Sequence, residues 1–144
     1  MKKYTVITGA SAGIGKAAAR AFAARGCNLI VVARRAEQME MLKQNLTGKY
    51  SVDVVVKECD LSMLSNVYKL YEGLRGYQID TWVNNAGFGD YSSVVGQNLQ
   101  KMATMLRLNV EALTVLSSHY VRDHWDVEGA QLINLSSRGG YMIG

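Results

Sequence analysis

The sequence has no proline, two cysteines, two histidines and no long apolar run, and most of these shortages exclude something. The lack of proline is unusual for a complete domain of 144 residues. Cys27 and Cys59 lie far apart without metal-ligand spacing, so both are expected to be reduced and structural, and no metal site is expected. His119 and His124 fall in or just after the longest helical pattern and read as surface or packing residues. A hydrolase would therefore lack its base. No segment approaches the roughly 18 apolar residues of a membrane helix. The opening Met-Lys-Lys-Tyr enters a strand pattern without the apolar stretch of a secretory signal. The expectation is a soluble, cytoplasmic protein with no membrane partner.

Charge excludes little by itself. The formal net charge is +4 and the pI is near 9.1, but the basic residues are dispersed among acidic ones, which argues against a nucleic-acid partner. Part of the excess can serve a phosphorylated cofactor. A hydrophobic content of 49% is ample for a core, and the length suits one domain, residues 1–144.

What is present is arranged around Thr8-Gly9-Ala10-Ser11-Ala12-Gly13-Ile14-Gly15, which joins the apolar run Tyr4 to Thr8 to an alanine-rich helical pattern. Glycine accepts positive φ and lets a diphosphate approach the main chain, while the free N–H groups and positive dipole end of the next helix attract the anion. Gly9, Ser11, Gly13, Ile14 and Gly15 are the candidate contacts; a simple tight turn is the alternative. In the helix that follows, Ile14, Ala17, Ala18, Ala21 and Phe22 recur at helical spacing, and Gly26 caps it.

The alternation then repeats. Asn28 to Ala33 reads as a second buried strand, and Met39, Leu42 and Leu46 mark a second helix ending at Gly48. Val52 to Val56 makes a third strand, and Ser62 is the expected N-cap of a helix carrying Leu64, Val67, Tyr68, Tyr71 and Leu74. Ile79 to Val83 is the fourth strand and leads into Asn84-Asn85-Ala86-Gly87. The longest helix runs from about Leu99 to Arg122, with Met102, Met105, Leu106, Asn109, Leu113 and Leu116 on one face, and Gln131 to Leu135 is the fifth strand. Alternating strands and helices imply an α/β fold: a doubly wound parallel sheet in the order 3-2-1-4-5 with helices on both faces. Ligands of such sheets bind at the carboxyl ends of the strands, where Thr8 to Gly15, Arg34, Asp60, Asn84 to Gly87 and Ser136-Ser137 all fall.

Four matches, in order, carry a family resemblance: Thr8-Gly9-x-x-x-Gly13-Ile14-Gly15, Asp60-Leu61, Asn84-Asn85-Ala86-Gly87, and Asn109 followed by Asn134-Leu135-Ser136-Ser137. Over its whole length the chain resembles the N-terminal, Rossmann-like part of a short-chain dehydrogenase/reductase. The resemblance implies hydride transfer between a nicotinamide dinucleotide and a small carbonyl or alcohol. It implies that Asp60, with Leu61, lies at the adenine; the alternative for Asp60 is a helix N-terminal charge. Asn85, Ala86 and Gly87 would line the sugar region. Asn109 would hold a water of the proton relay, or else be a core asparagine satisfied by main chain. Ser137 would steady the substrate carbonyl.

Arg34 and Arg35 stand directly after the second strand, where an NAD site would place an acid for the ribose hydroxyls. A guanidinium there suits a 2′-phosphate, so NADP is favoured over NAD, although Ala12 stands where many NADP-preferring relatives have a basic residue. The two arginines also fit a solvated helix start. The family's proton donor is a tyrosine with a lysine four residues later, a dozen or so residues beyond the position of Ser137. Tyr141 is too close to Ser137 for that role, and no lysine follows it. The expectation is an inactive fragment lacking its C-terminal strands: a truncated or proteolytic product, or an interrupted gene. Its exposed sheet edge would favour homo-oligomers. The alternative is a non-catalytic NADP(H)-binding, regulatory or interaction module.

Overall fold

The computed structural model describes residues 2–10, 13–86 and 99–136, and the side chains of these except 86, 99–109, 135 and 136. Five strands, β1 (Lys3–Thr8), β2 (Asn28–Ala33), β3 (Val54–Glu58), β4 (Gln78–Ala86) and β5 (Gln131–Ser136), form one sheet. Its order is β3-β2-β1-β4-β5, with every neighbouring pair parallel, as the alternation of motifs predicts. Among the described residues four helices connect them: α1 (Gly13–Ala24), α2 (Glu37–Lys49), α3 (Leu64–Gly73) and α4 (Leu99–His124).

A parallel sheet covered on both faces needs apolar residues on both sides of its strands, which is why β1 and β2 read as unbroken runs. Tyr4, Val6, Ile30, Val32 and Trp82 face α3 and α4. Ile7, Leu29, Val31 and Val83 face α1 and α2, where Ala19, Ala23, Met39, Leu42 and Leu46 meet them. On the first face Trp82 is fully buried between Tyr71 and Tyr120, at centroid distances of 5.6 and 5.8 Å. The Tyr120 hydroxyl donates to the Asp80 carbonyl at 2.8 Å, and His119 and His124 stack on Tyr71 and Tyr120 as packing residues.

Three local expectations are corrected. The buried stripe of α1 is Gly15, Ala19 and Ala23, flanked by half-buried Ala18 and Phe22, while Ile14 is 46% exposed and Ala17 and Ala21 face outward. Ser62 does not cap α3: the cap position is Met63, without a side-chain bond, and the Ser62 hydroxyl donates to Asp60 Oδ1 at 2.6 Å. β3 starts two residues later than the valine run suggests. Asp53 is used otherwise: its N–H donates to Asn28 Oδ1 at 2.9 Å and its carboxylate accepts the Tyr4 hydroxyl at 2.6 Å. The strand then continues through Lys57 and Glu58, which still pair with Val32 and Ala33. Charged side chains are tolerated there because β3 is an edge strand.

Candidate functional site

Because β1 and β4 are adjacent, the glycine turn after Thr8 lies beside Asn84 and Asn85. The buried Thr8 hydroxyl accepts the Asn85 backbone N–H at 3.0 Å. The Asn85 side-chain amide donates to the Gly9 carbonyl at 3.0 Å, and the Ala10 N–H donates to Val32 O on β2 at 3.3 Å. Gly9 and Gly13 have φ of +62° and +60°, the left-handed region that glycine enters without steric cost. A Cβ on Gly15 would stand 2.2 Å from Gly9 O and 2.6 Å from Asn85 Nδ2. Only glycine lets the first turn of α1 press onto the turn before it.

The result is a cradle with a free positive end. No acid lies in the first turn of α1, whereas α2 has Glu37 and Glu40 in its own. The positive dipole end of α1 thus meets no acid of its own first turn and suits an external anion. Among the described residues, a Cβ on Gly13 would meet nothing within 4 Å. These residues fit the diphosphate of a dinucleotide.

Asn84 performs a different task. Its Oδ1 accepts from Trp82 Nε1 at 2.8 Å, and its Nδ2 donates to Ser117 Oγ at 2.9 Å and Asn134 Oδ1 at 3.1 Å. Asn84 and Asn134 are register partners on β4 and β5, so this network ties α4 to both strands at the carboxyl end of the sheet. A buried amide with every group partnered fixes one arrangement of these elements.

Beyond β2 and β3 lies a groove of about 450 Å³ lined by Arg34, Lys57, Asp60, Asn66 and Lys69 among others. Arg34 and Arg35 are exposed. Asp60 is held by its own turn: Oδ1 accepts from Ser62 N at 3.0 Å and from the Ser62 hydroxyl, and its carbonyl accepts from Asn66 Nδ2 at 3.2 Å. Leu61 is in the core at 7% exposure. Cys59 in the groove wall has its thiol pushed up to about 11 by burial and then by the Asp60 charge, so it stays protonated at neutral pH. A second cavity, of about 230 Å³ among Tyr71, Tyr77, Trp82 and Tyr120, lies toward the start of β4, away from the glycine turn.

The structure therefore gathers Gly9, Gly13, Gly15 and Asn85 at one point, with Arg34 and Asp60 at the neighbouring strand ends. Ser11, Gly87 and Ser137 lie outside the described residues, as do the side chains of Ala86 and Asn109. Ser117 and Trp82 belong to none of the sequence motifs; Thr8 opens the glycine motif, and its hydroxyl, ending an apolar strand, must find a partner when buried, which the Asn85 N–H provides.

Comparison with known proteins follows the same outline. The family model described as short chain dehydrogenase matches residues 3–144. A sulfoacetaldehyde reductase from Chromohalobacter salexigens is 34% identical over 97% of this chain and 56% of its own length. A short-chain dehydrogenase from Sphingobium yanoikuyae, solved in complex with NADPH, superposes with a TM-score of 0.83 at 29% identity, covering 96% of this chain and 55% of that one. A bulky-bulky ketone specific alcohol dehydrogenase from Comamonas testosteroni gives a TM-score of 0.82 at 32% identity, covering 96% and 56%. The chain spans about half the length of the curated relatives it matches.

Proposed function

The chain belongs to the short-chain dehydrogenase/reductase family, and from that premise we propose that it is the cofactor-holding part of an NADP-dependent oxidoreductase acting on a carbonyl or alcohol. The observation that carries this reading is the interlock of Gly15, Gly9 and Asn85, which shapes a main-chain cradle in front of a helix end free of acids. In the reading, Gly9, Ser11, Gly13, Ile14 and Gly15 seat the diphosphate. Asp60, Leu61, Asn85, Ala86 and Gly87 border the adenosine side, and Arg34 with Arg35 meets the 2′-phosphate. Arg34 is exposed at the mouth of the groove, free to turn its planar fork toward a phosphate. The NADPH complex of the Sphingobium protein supports the choice of cofactor, and the names of the reductase and ketone-specific relatives support a carbonyl substrate.

When bound, the nicotinamide supplies or takes the hydride. Asn109 on α4 and Ser137 after β5 are the residues we assign to the reacting end, as water holder and carbonyl support. No tyrosine in the 144 residues has a lysine four positions later, so we assign no turnover to this stretch by itself. A second reading, resting on the same glycine cradle, is a cytoplasmic NADP(H)-binding module that regulates or pairs and does not catalyse. The two differ in whether the parent gene continues into such a Tyr-x-x-x-Lys segment.

The test is calorimetric titration of the chain with NADPH and NADH at fixed salt, beside Arg34→Asp. We expect a preference for NADPH of about tenfold or more, the worth of one charge-assisted phosphate contact, and its loss in the variant. Equal affinity for the two cofactors in the native chain would overturn the NADP assignment. Binding of neither would remove the cradle reading.

A further inference from the structure

We propose that Lys69, on α3, is a second cation for the 2′-phosphate, lining the same groove as Arg34, so that cofactor choice is set by two elements and not by the end of β2 alone. The proposal rests on the NADP reading above.

The groove has two acids and three cations near one another: Glu58 and Asp60, Arg34, Lys57 and Lys69. Both acids are engaged within the chain. Glu58 Oε1 accepts the Ala36 N–H at 3.3 Å, and Asp60 Oδ1 accepts both donors of Ser62. Lys57 is engaged as well, its Nζ lying 5.7 Å from the centre of the ring of Tyr77, a residue that does not line the groove. Among the described residues, the ion pairs join Arg75 to Glu72 and Asp123, and Arg122 to Asp123; Arg34 and Lys69 take part in none. Among the described residues, two cations without an ion-pair partner thus line one groove, Arg34 just after β2 and Lys69 on α3.

A phosphate monoester carries close to two negative charges at neutral pH. One guanidinium pairs with two of its oxygens in a plane and balances one charge. The remaining charge suits a compact ammonium on a flexible stem, which Lys69 provides from the exposed side of α3. Asn66, one turn earlier on the same face of the helix, is held by the Asp60 carbonyl, which fixes α3 against the turn after β3 and so fixes the reach of Lys69.

The experiment titrates the native chain, Lys69→Gln, Lys69→Arg and Lys57→Gln with 2′,5′-ADP and with 5′-AMP, two probes that differ by the 2′-phosphate. We expect Lys69→Gln to weaken 2′,5′-ADP by about fivefold to tenfold and to leave 5′-AMP unchanged, with Lys69→Arg retaining most of the affinity. Lys57→Gln should change neither probe by more than about twofold, since its ammonium is already engaged. Unaltered 2′,5′-ADP affinity in Lys69→Gln, with native discrimination intact, overturns the Lys69 assignment and leaves the NADP reading standing. An equal loss in Lys57→Gln would point to the general field of the groove and also overturn it. A native chain that does not distinguish the probes overturns the NADP reading, and Lys69 with it.

Discussion

Replacing Gly15 by alanine should damage the protein although the substitution adds one methyl group to a helix. The new Cβ would lie 2.2 Å from Gly9 O, 2.6 Å from Asn85 Nδ2 and 2.9 Å from Gly9 C. A carbon–oxygen contact settles near 3.3 Å, so the Gly9 carbonyl or the start of α1 must retreat by about 1 Å. That shift stretches the 3.0 Å bond from the Asn85 amide to Gly9 O. Overpacking costs about 1–3 kcal/mol and the weakened hydrogen bond about 1, against a gain of up to about 1 from helix propensity. The net is about 2 kcal/mol of lost stability, a fall of about 6 °C in Tm for a chain of this size. Gly48→Ala is the matched control: it lies in α2, and its Cβ would meet nothing within 4 Å. There the propensity term acts alone and stabilises by a few tenths to about 1 kcal/mol. Urea unfolding of both variants, with NADPH titration beside it, reads out opposite signs. A Gly15→Ala protein that unfolds with or above the native chain and keeps its dinucleotide affinity would refute the packing argument and the cradle built on it.

Asn84→Ala removes the acceptor of Trp82 Nε1 and the donor to Ser117 and Asn134, leaving buried polar groups unpaired; a loss of about 3 kcal/mol is expected in urea unfolding. Acrylamide quenching follows the same change. In the native protein only Trp125, 78% exposed, should be accessible while Trp82 is not, and a single accessible class in the native state would contradict the burial described. Alkaline pH supplies another check. The Tyr4 hydroxyl is raised to about 12 by its bond to Asp53, with burial adding to it; burial raises Tyr120 to about 12 and Cys59 to about 11. Their folded-state values exceed the unfolded ones, so the stability they contribute is intact below about pH 8.5 and is lost as pH rises through 11 and 12. Denaturant midpoints constant from pH 7 to 8.5 and falling beyond are expected; a midpoint that rises above pH 9 would contradict the sign.

The strand order was legible because buried parallel strands have a distinctive pattern and glycines or polar turns separate them, so Tyr4–Thr8 and Asn28–Ala33 stand out without any tertiary information. The face of α1 was not. Ile14 and Phe22 are the large apolar residues of that segment and draw the reading to their side, yet Ile14 is exposed, and the closest contact is made by Gly15, Ala19 and Ala23, whose value lies in being small. Hydrophobicity cannot report a requirement for close approach. The limit was the same at Ser62: its sequence context suits a cap, but Asp60 two residues earlier offers a competing local acceptor at 2.6 Å. Lys69 carries no sequence signal at all, since an exposed lysine on an amphipathic helix is the ordinary case until the groove and the engagement of its acids are known.

The glycine spacing announced a phosphate loop, yet part of what makes glycine necessary there is internal. Gly15 is required by Gly9 and Asn85, and Asn85 is 70 residues away in the chain, brought in by the pairing of β1 with β4. The cradle is therefore a property of the sheet and not of the loop. It follows that a change confined to β4, such as loss of the Asn85 amide, should weaken dinucleotide binding without touching any group assigned to the phosphates. The described contacts that shape the turn come from β1, β2, β4 and α1, while the residues assigned to the reacting end, Asn109 and Ser137, belong to α4 and to the segment after β5. In the proposed reading, cofactor affinity and chemistry are thus assigned to different elements. Binding measurements on this chain test the first without presupposing the second.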